Sequence, residues 1–101
     1  MAKTTNYQRG VRYEYIAKKA LEQDGWIVFR SAGSHGIFDL SCIHPELGEA
    51  MFLQIKATKG GERAVARLIK EFKRSMPVPQ ATHFTQGIWV WSKGKWHIWV
   101  D

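Results

Sequence analysis

The chain has 101 residues, of which 45% are hydrophobic, so it can form one domain with a core and is too short for two. Lys and Arg total 15 against 9 Asp and Glu, and the resulting charge of +6 favours a polyanionic partner, either nucleic acid or an anionic membrane. The single cysteine, Cys42, excludes an intrachain disulfide, which favours an intracellular location.

The distribution of apolar residues argues against a membrane protein. No apolar run approaches the ~20 residues that are needed to cross a bilayer, and residues 1–10 lack the apolar segment of a signal peptide. We therefore expect one intracellular (cytoplasmic) domain over residues 1–101, with residues 1–8 as a flexible arm.

The predicted elements follow the order α-β-β-β-α-β-β. A helix is predicted over 10–24, because an apolar stripe with helical spacing ends there at a glycine. Strands are predicted over 26–30, 38–44 and 49–58, a second helix over about 62–75, and a hairpin over 83–101. This order indicates an α/β fold in which two helices flank a five-stranded sheet.

The third predicted strand carries polar residues on one face. Gln54 and Lys56 alternate with apolar neighbours, and placing both on an inner face costs free energy unless that face is solvated or functional. If the turn at 45–48 is symmetric, Asp39 lies opposite Gln54 with Cβ atoms ~5 Å apart. This prediction depends on the register, since a slip of one residue would separate the two side chains.

Glu14 completes a candidate metal site. It lies at the border of the first helix's apolar stripe, so packing of that stripe would direct it towards the sheet edge near Asp39. Two carboxylates with the Gln54 amide oxygen suit Mg²⁺ or Mn²⁺, and Lys56 can orient a nucleophile or stabilise transition-state charge. Each residue alone has an ordinary alternative, namely a solvated helix position, a turn or a surface lysine. Taken together, they favour catalysis.

The second predicted helix has one apolar and one basic face. A solvated helix face usually mixes both signs of charge, whereas this one is nearly all positive, which favours contacts with DNA phosphates. The alternative is an ordinary solvated surface. The predicted phosphate-contacting residues are Arg63, Arg67, Lys70 and Arg74 on this helix, with Arg9, Arg12, Arg30 and Lys59 extending the surface.

The C-terminal hairpin is apolar on both faces. With Lys93-Gly94 as its loop, Trp91 opposes Trp96 on one face, and Ile88 opposes Trp99 on the other. One face can cover the domain's own core, and the second then needs another cover. A homodimer through these strands is the favoured interpretation, with coverage by the second helix as the alternative.

Four motifs together resemble the archaeal-type Holliday junction resolvases, which belong to the PD-(D/E)XK nuclease superfamily. They are GVRYE at 10–14, RSAGS at 30–34, DL at 39–40 and QIK at 54–56. The resemblance covers residues 9–58 and implies a restriction-endonuclease-like core with a central mixed sheet. It also implies a homodimer that resolves four-way DNA junctions by paired nicks, using Mg²⁺ with Mn²⁺ as a substitute.

The resemblance implies roles for individual residues. Glu14 and Asp39 match the metal-binding carboxylates, Lys56 the catalytic lysine, Ser34 an active-site serine and Arg30 a strand-end arginine. In this superfamily the backbone carbonyl at the position of Ile55 commonly provides a further metal ligand.

One position departs from the family pattern. Gln54 stands where the family has an acid, which keeps an oxygen ligand and removes a negative charge. Two other interpretations therefore stay open. One is a nuclease for flaps, nicked duplex or foreign DNA, and the other is a non-catalytic DNA-binding module of the same fold. A cellular and a viral origin are both compatible with the sequence.

Overall fold

The computed structural model describes residues 6–31, 36–77 and 83–101. In chain order the elements are α1 (Asn6–Gln23), β1 (Ile27–Arg30), β2 (Leu40–His44), β3 (Glu49–Ala57), α2 (Glu62–Ser75), β4 (Thr85–Ser92) and β5 (Lys95–Val100). The predicted α/β fold with a five-stranded sheet and two helices is confirmed. Neither of the helices in these ranges is long and apolar enough to cross a membrane.

The strands form one mixed sheet in the order β1-β2-β3-β4-β5. Neighbouring strands are antiparallel except β3 and β4, which are parallel and are connected through α2. A parallel pair needs such a crossover, because a tight turn can join only antiparallel strands. β3 is the middle strand of the sheet, and its polar residues Gln54 and Lys56 line a cleft together with residues of α2.

The two helices pack on different parts of the sheet. α1 contacts β1 and β3, and its Ala17 and Leu21 join a core that includes Leu53. α2 contacts β4, and its Val65 and Phe72 pack with Ile88 and Val90. Because each helix spans only part of the sheet, several apolar side chains of the outer strands are left exposed. These are Ile27, Phe29 and Ile43 on β1 and β2, and Ile98 and Val100 on β5.

The hairpin registers agree with the sequence-based expectation. Leu40 pairs with Leu53 across β2 and β3, which is the register that places Asp39 beside Gln54. In the last hairpin Trp91 pairs with Trp96, and Lys93 and Gly94 both have positive φ angles of 52° and 82°. Two consecutive positive φ angles are typical of the type I′ turn, whose twist matches that of paired strands.

A buried histidine connects α1 to the β2–β3 turn. The Leu47 N–H donates to Nδ1 of His44 over 3.2 Å, so Nε2 carries the proton and donates to the Asp24 carbonyl 3.1 Å away. Gly25 has a φ of +93°, and a Cβ there would lie 2.9 Å from His44 Nε2. These contacts fix the end of α1 relative to the turn that sets the register.

Cys42 lies in the core beneath α1 with 1% of its surface exposed. Burial disfavours the thiolate and raises the pKa of this thiol to about 11.

The first helix and the second strand differ from the expected bounds. α1 begins at Asn6, so residues 6–8 are helical and not part of a flexible arm, while residues 1–5 lie outside the described ranges. Helical hydrogen bonds can extend through polar residues that no apolar stripe would indicate. β2 begins at Leu40 because Ile37 and Phe38 leave the ladder and pack against the α2 core.

The hairpin face that contains Ile88 and Trp99 is covered by α2, as the alternative interpretation had it. On the other face, Trp89 and Trp96 are half-buried and pack against the α1 core. The apolar surface that remains exposed on this hairpin is therefore smaller than the sequence suggested.

We expect Phe72→Ala to lower the free energy of unfolding by about 3–5 kcal/mol, because it empties space that the structure cannot refill. Phe72 is 2% exposed and contacts the rings of Phe38 and Trp99. Urea unfolding would measure the change, with the exposed neighbour Arg67→Ala as control. A loss below about 1 kcal/mol would contradict this packing.

Candidate active site

The structure brings three predicted catalytic residues from separate elements to one cleft. Glu14 comes from α1, Asp39 from the segment before β2, and Lys56 from the end of β3. The cleft has a volume of about 340 Å³, and its remaining lining residues are Arg9, Gly10, Ile55 and Ala57. Basic, acidic and backbone groups therefore surround the same space.

Asp39 is held by backbone hydrogen bonds on both sides. Its N–H donates to the Leu53 carbonyl over 2.8 Å, and its own carbonyl accepts from Ser31 N–H over 2.9 Å. Its carboxylate oxygen Oδ2 accepts from the Ile55 N–H over 2.8 Å. These bonds hold the carboxylate against β3 at the point where β2 begins, and among the described residues no hydrogen bond is formed to its Oδ1.

Glu14 is paired with Arg30. The Arg30 Nη1 donates to Glu14 Oε1 over 3.1 Å, and both side chains are largely covered, with 18% and 14% of their surfaces exposed respectively. The Arg30 guanidinium also lies 5.1 Å from the centre of the Tyr15 ring, which is a cation–π contact. Arg30, which the sequence analysis assigned to the DNA-contacting surface, is therefore paired with one of the two candidate carboxylates.

Both carboxyl groups are harder to ionise than in water. Burial raises the pKa of Glu14, and the nearby Asp39 carboxylate raises it further, while Arg30 acts in the opposite direction. Burial also raises the pKa of Asp39, against the effects of the Ile55 N–H, Lys56 and Arg30. A cation placed between two such carboxylates would relieve both their mutual repulsion and their loss of hydration.

Gln54 does not line the cleft that contains Glu14 and Asp39. It lies in a neighbouring cleft of about 140 Å³ between β3 and α2, whose lining includes the acidic side chain of Glu71. Lys56 lines both clefts and so connects them. Ser34, the predicted active-site serine, lies outside the described residues.

The donor set fits a hard divalent cation that keeps part of its water shell. Within the described residues, no three Asp, Glu, His or Cys side chains are grouped closely enough to hold a metal. Glu14 and Asp39 therefore offer two carboxylates, to which the Ile55 carbonyl is the proposed addition. Mg²⁺ is commonly held by one or two carboxylates, waters and substrate phosphate, so this set suits Mg²⁺ better than zinc.

Apart from Arg30, the predicted DNA-contacting residues fall into two groups. The four basic residues of α2 are all exposed: Arg63, Arg67, Lys70 and Arg74. Arg9, Arg12 and Lys59 instead line one cleft beside the carboxylates. Their use in DNA binding stays a prediction.

Sequence reasoning missed two features of the site. The Arg30–Glu14 pair joins residues 16 positions apart, and no local pattern indicates that the strand end meets the helix there. The position of Glu71 beside Gln54 depends on how α2 rotates against the sheet. The spacing of residues in the sequence could have indicated this position, since Leu68, Glu71 and Ser75 are three and four residues apart and therefore share one side of the helix.

Comparison with solved structures identifies a similar fold. The structure of Hjc, a Holliday junction resolvase from the archaeal hyperthermophile Archaeoglobus fulgidus, matches with a TM-score of 0.57 and 15% sequence identity. The match covers 89% of this chain and 75% of that chain. No family model and no curated protein matches the sequence. At this identity the similarity establishes an Hjc-like fold.

We expect Asp39→Asn to stabilise the metal-free protein at pH 7. The folded state raises the pKa of Asp39, so the carboxyl adds to stability below its ordinary value of 3.8 and that contribution is lost as the pH rises through the folded-state pKa. Asn keeps an acceptor for the Ile55 N–H and does not titrate. Thermal unfolding in EDTA should give the variant a higher Tm at pH 7 than wild type, and this advantage should disappear near pH 3.

Asp24→Asn, which changes an exposed aspartate, controls for the general effect of removing a carboxylate. If Asp39→Asn lowered the Tm at pH 7, the inferred balance between burial and the nearby donors would be wrong.

Proposed function

We propose that this protein is a metal-dependent endodeoxyribonuclease that resolves four-way DNA junctions by paired nicks in a homodimer. The observation that carries the proposal is the meeting of Glu14, Asp39 and Lys56 in one cleft, in a chain with an Hjc-like fold. The four sequence motifs support the same reaction. The basic face of α2 offers sequence-independent contacts to the DNA backbone.

The chain's own groups have distinct tasks in this proposal. Glu14 and Asp39 would hold Mg²⁺, which supplies water activation and neutralisation of phosphate charge when bound. Asp39 needs no reorientation, because the Ile55 N–H already fixes its carboxylate. Arg30 orients Glu14 and offsets its charge. The Lys56 ammonium donates hydrogen bonds to a phosphate oxygen or to the attacking water.

Gln54 has a different task from the acid that it replaces. From the neighbouring cleft, which Lys56 also lines, its amide oxygen can accept a hydrogen bond from the Lys56 ammonium without adding negative charge. Ser34, which the family resemblance assigns to the active site, would add a hydroxyl donor. The site then depends on two carboxylates for its charge, so its affinity for the cation is lower than that of a three-carboxylate site.

We expect wild-type protein with Mg²⁺ or Mn²⁺ to nick a labelled four-way junction symmetrically, and to lose this activity in EDTA. Lys56→Ala should reduce the single-turnover rate by at least about 10²-fold, because one donor to the transition state is removed. Gel analysis of flap and linear duplex substrates measures selectivity. Lys95→Ala, which removes an exposed lysine in β5, is the matched control.

The outcomes separate the competing functions. Junction binding without cleavage under any metal would favour the non-catalytic module. Equal cleavage of flaps or nicked duplex would favour the differently targeted nuclease. A Lys56→Ala variant as active as wild type would remove this lysine from the reaction.

The homodimer is proposed to form through the exposed part of the C-terminal strands. Ile98 and Val100 are 53% and 46% exposed and follow the half-buried Trp96 along one face of β5. A two-fold partner would cover this apolar strip and bring two active sites into one particle. Paired nicking needs two sites, so the proposed reaction and the proposed assembly support each other.

We expect Ile98→Lys to convert a dimer to a monomer at micromolar concentration, because dimerisation would bury an unpaired charge. Sedimentation equilibrium measures the mass. Ile43→Lys, at a 48% exposed isoleucine on β2, is the matched control and should stay dimeric. Monomeric wild-type protein would exclude the dimer, and dissociation caused by Ile43→Lys alone would move the interface to β1 and β2.

A further inference from the structure

A second cleft, lined by basic residues, adjoins the carboxylate cleft. It has a volume of about 290 Å³ and is formed between the start of α1 and the end of β3. Its lining residues are Arg9, Arg12, Tyr13, Ala57, Thr58 and Lys59. Arg9 and Ala57 also line the carboxylate cleft, so the two spaces are direct neighbours. We refer to the second space as the cation cleft.

The chemistry of the cation cleft is that of an anion site. Three of its six lining side chains are cationic and none is acidic. Within the described residues, Arg9, Arg12 and Lys59 form no ion pair, so their charges are available to a ligand. The Thr58 Oγ1 accepts the Gly60 N–H over 3.1 Å, and as a hydroxyl it can also donate its proton to an anion.

The cleft is also built on defined elements. Arg9, Arg12 and Tyr13 are spaced three and four residues apart, so they share one face of α1. The Tyr13 ring lies 6.0 Å from the ring of Trp91 and 6.4 Å from that of Trp96. The Thr58 N–H donates to the Trp91 carbonyl over 2.9 Å, which fixes the end of β3 against β4. The lining therefore comes from segments that packing and backbone hydrogen bonds hold in place.

We propose that the cation cleft binds the DNA backbone phosphate adjacent to the scissile phosphate on the same strand. The inference rests on the proposed nuclease function, in which the scissile phosphate occupies the carboxylate cleft. Successive phosphates of one strand are neighbours, as the two clefts are, and the next anion along the strand meets three cations there. Binding of two consecutive phosphates would fix the position and direction of the cut strand over Lys56.

The test combines protein and DNA substitutions. A series of four-way junctions is made, each with a single uncharged methylphosphonate at a different position around the cut. Their affinity for the protein is measured by fluorescence anisotropy in Ca²⁺. Neutralising the phosphate adjacent to the cut should weaken wild-type binding about tenfold, as expected for the loss of one charge-assisted contact. For Arg12→Ala the same methylphosphonate should weaken binding by only about threefold, because one of the three cations that contact this phosphate is already absent.

A matched control removes a charge elsewhere. Lys19→Ala, at an exposed lysine nearer the other end of α1, should retain the tenfold effect of the methylphosphonate. The proposal is overturned if wild-type protein tolerates the adjacent methylphosphonate, or if Arg12→Ala is as sensitive to it as wild type.

A separate measurement distinguishes failure of this site from failure of the nuclease proposal. Inorganic phosphate is titrated into ¹⁵N-labelled protein without DNA or metal. Saturable shifts of the Thr58 and Gly60 amide resonances that require more phosphate in Arg12→Ala than in wild-type protein support an anion site even if no junction is cleaved. If wild-type protein shows no such shifts and the methylphosphonate has no effect, the cation cleft is not a phosphate site. The nuclease proposal is then tested separately, by the metal-dependent cleavage assay.

Discussion

The hydrogen bond from the Ile55 N–H to the Asp39 carboxylate is the contact on which the site depends. It forms because the β2–β3 register sets Leu40 opposite Leu53 and so brings Asp39 beside the middle of β3. Lys56 lies near the end of β3 and lines the same cleft as Asp39. The His44 contacts hold the turn that defines this register, so this buried imidazole helps to position the residues of the candidate site.

The burial of the two carboxylates in the cleft lowers the stability of the folded chain at neutral pH. Two carboxylates are partly buried near each other, and a single arginine compensates only Glu14 directly. The other ion pair among the described residues, Lys18–Glu22, is exposed, so it loses less hydration than the buried carboxylates do. Raised carboxyl pKa values at a sheet edge are typical of sites that bind a cation or move a proton.

The sequence predicts the element order and both hairpin registers, because alternation and turn geometry are local properties. It also predicts that Glu14, Asp39 and Lys56 meet, since the register and the helix stripe restrict where they can lie. It does not predict the separation of Gln54 from Glu14, which arises because the Gln54 side chain lies on the face of β3 that packs against α2, while Glu14 belongs to α1. The sequence also does not predict the start of α1 at Asn6 or the Arg30–Glu14 pair, since neither depends on an apolar pattern.

The buried Cys42 makes the chain a convenient background for chemical labelling. Maleimides and peroxide attack the thiolate, and a thiol whose pKa is about 11 is almost entirely protonated at neutral pH. With 1% of its surface exposed, it is also sterically protected. A cysteine introduced on the surface would therefore be the dominant reactive thiol, so fluorophores or spin labels can be placed on the native chain without first replacing Cys42.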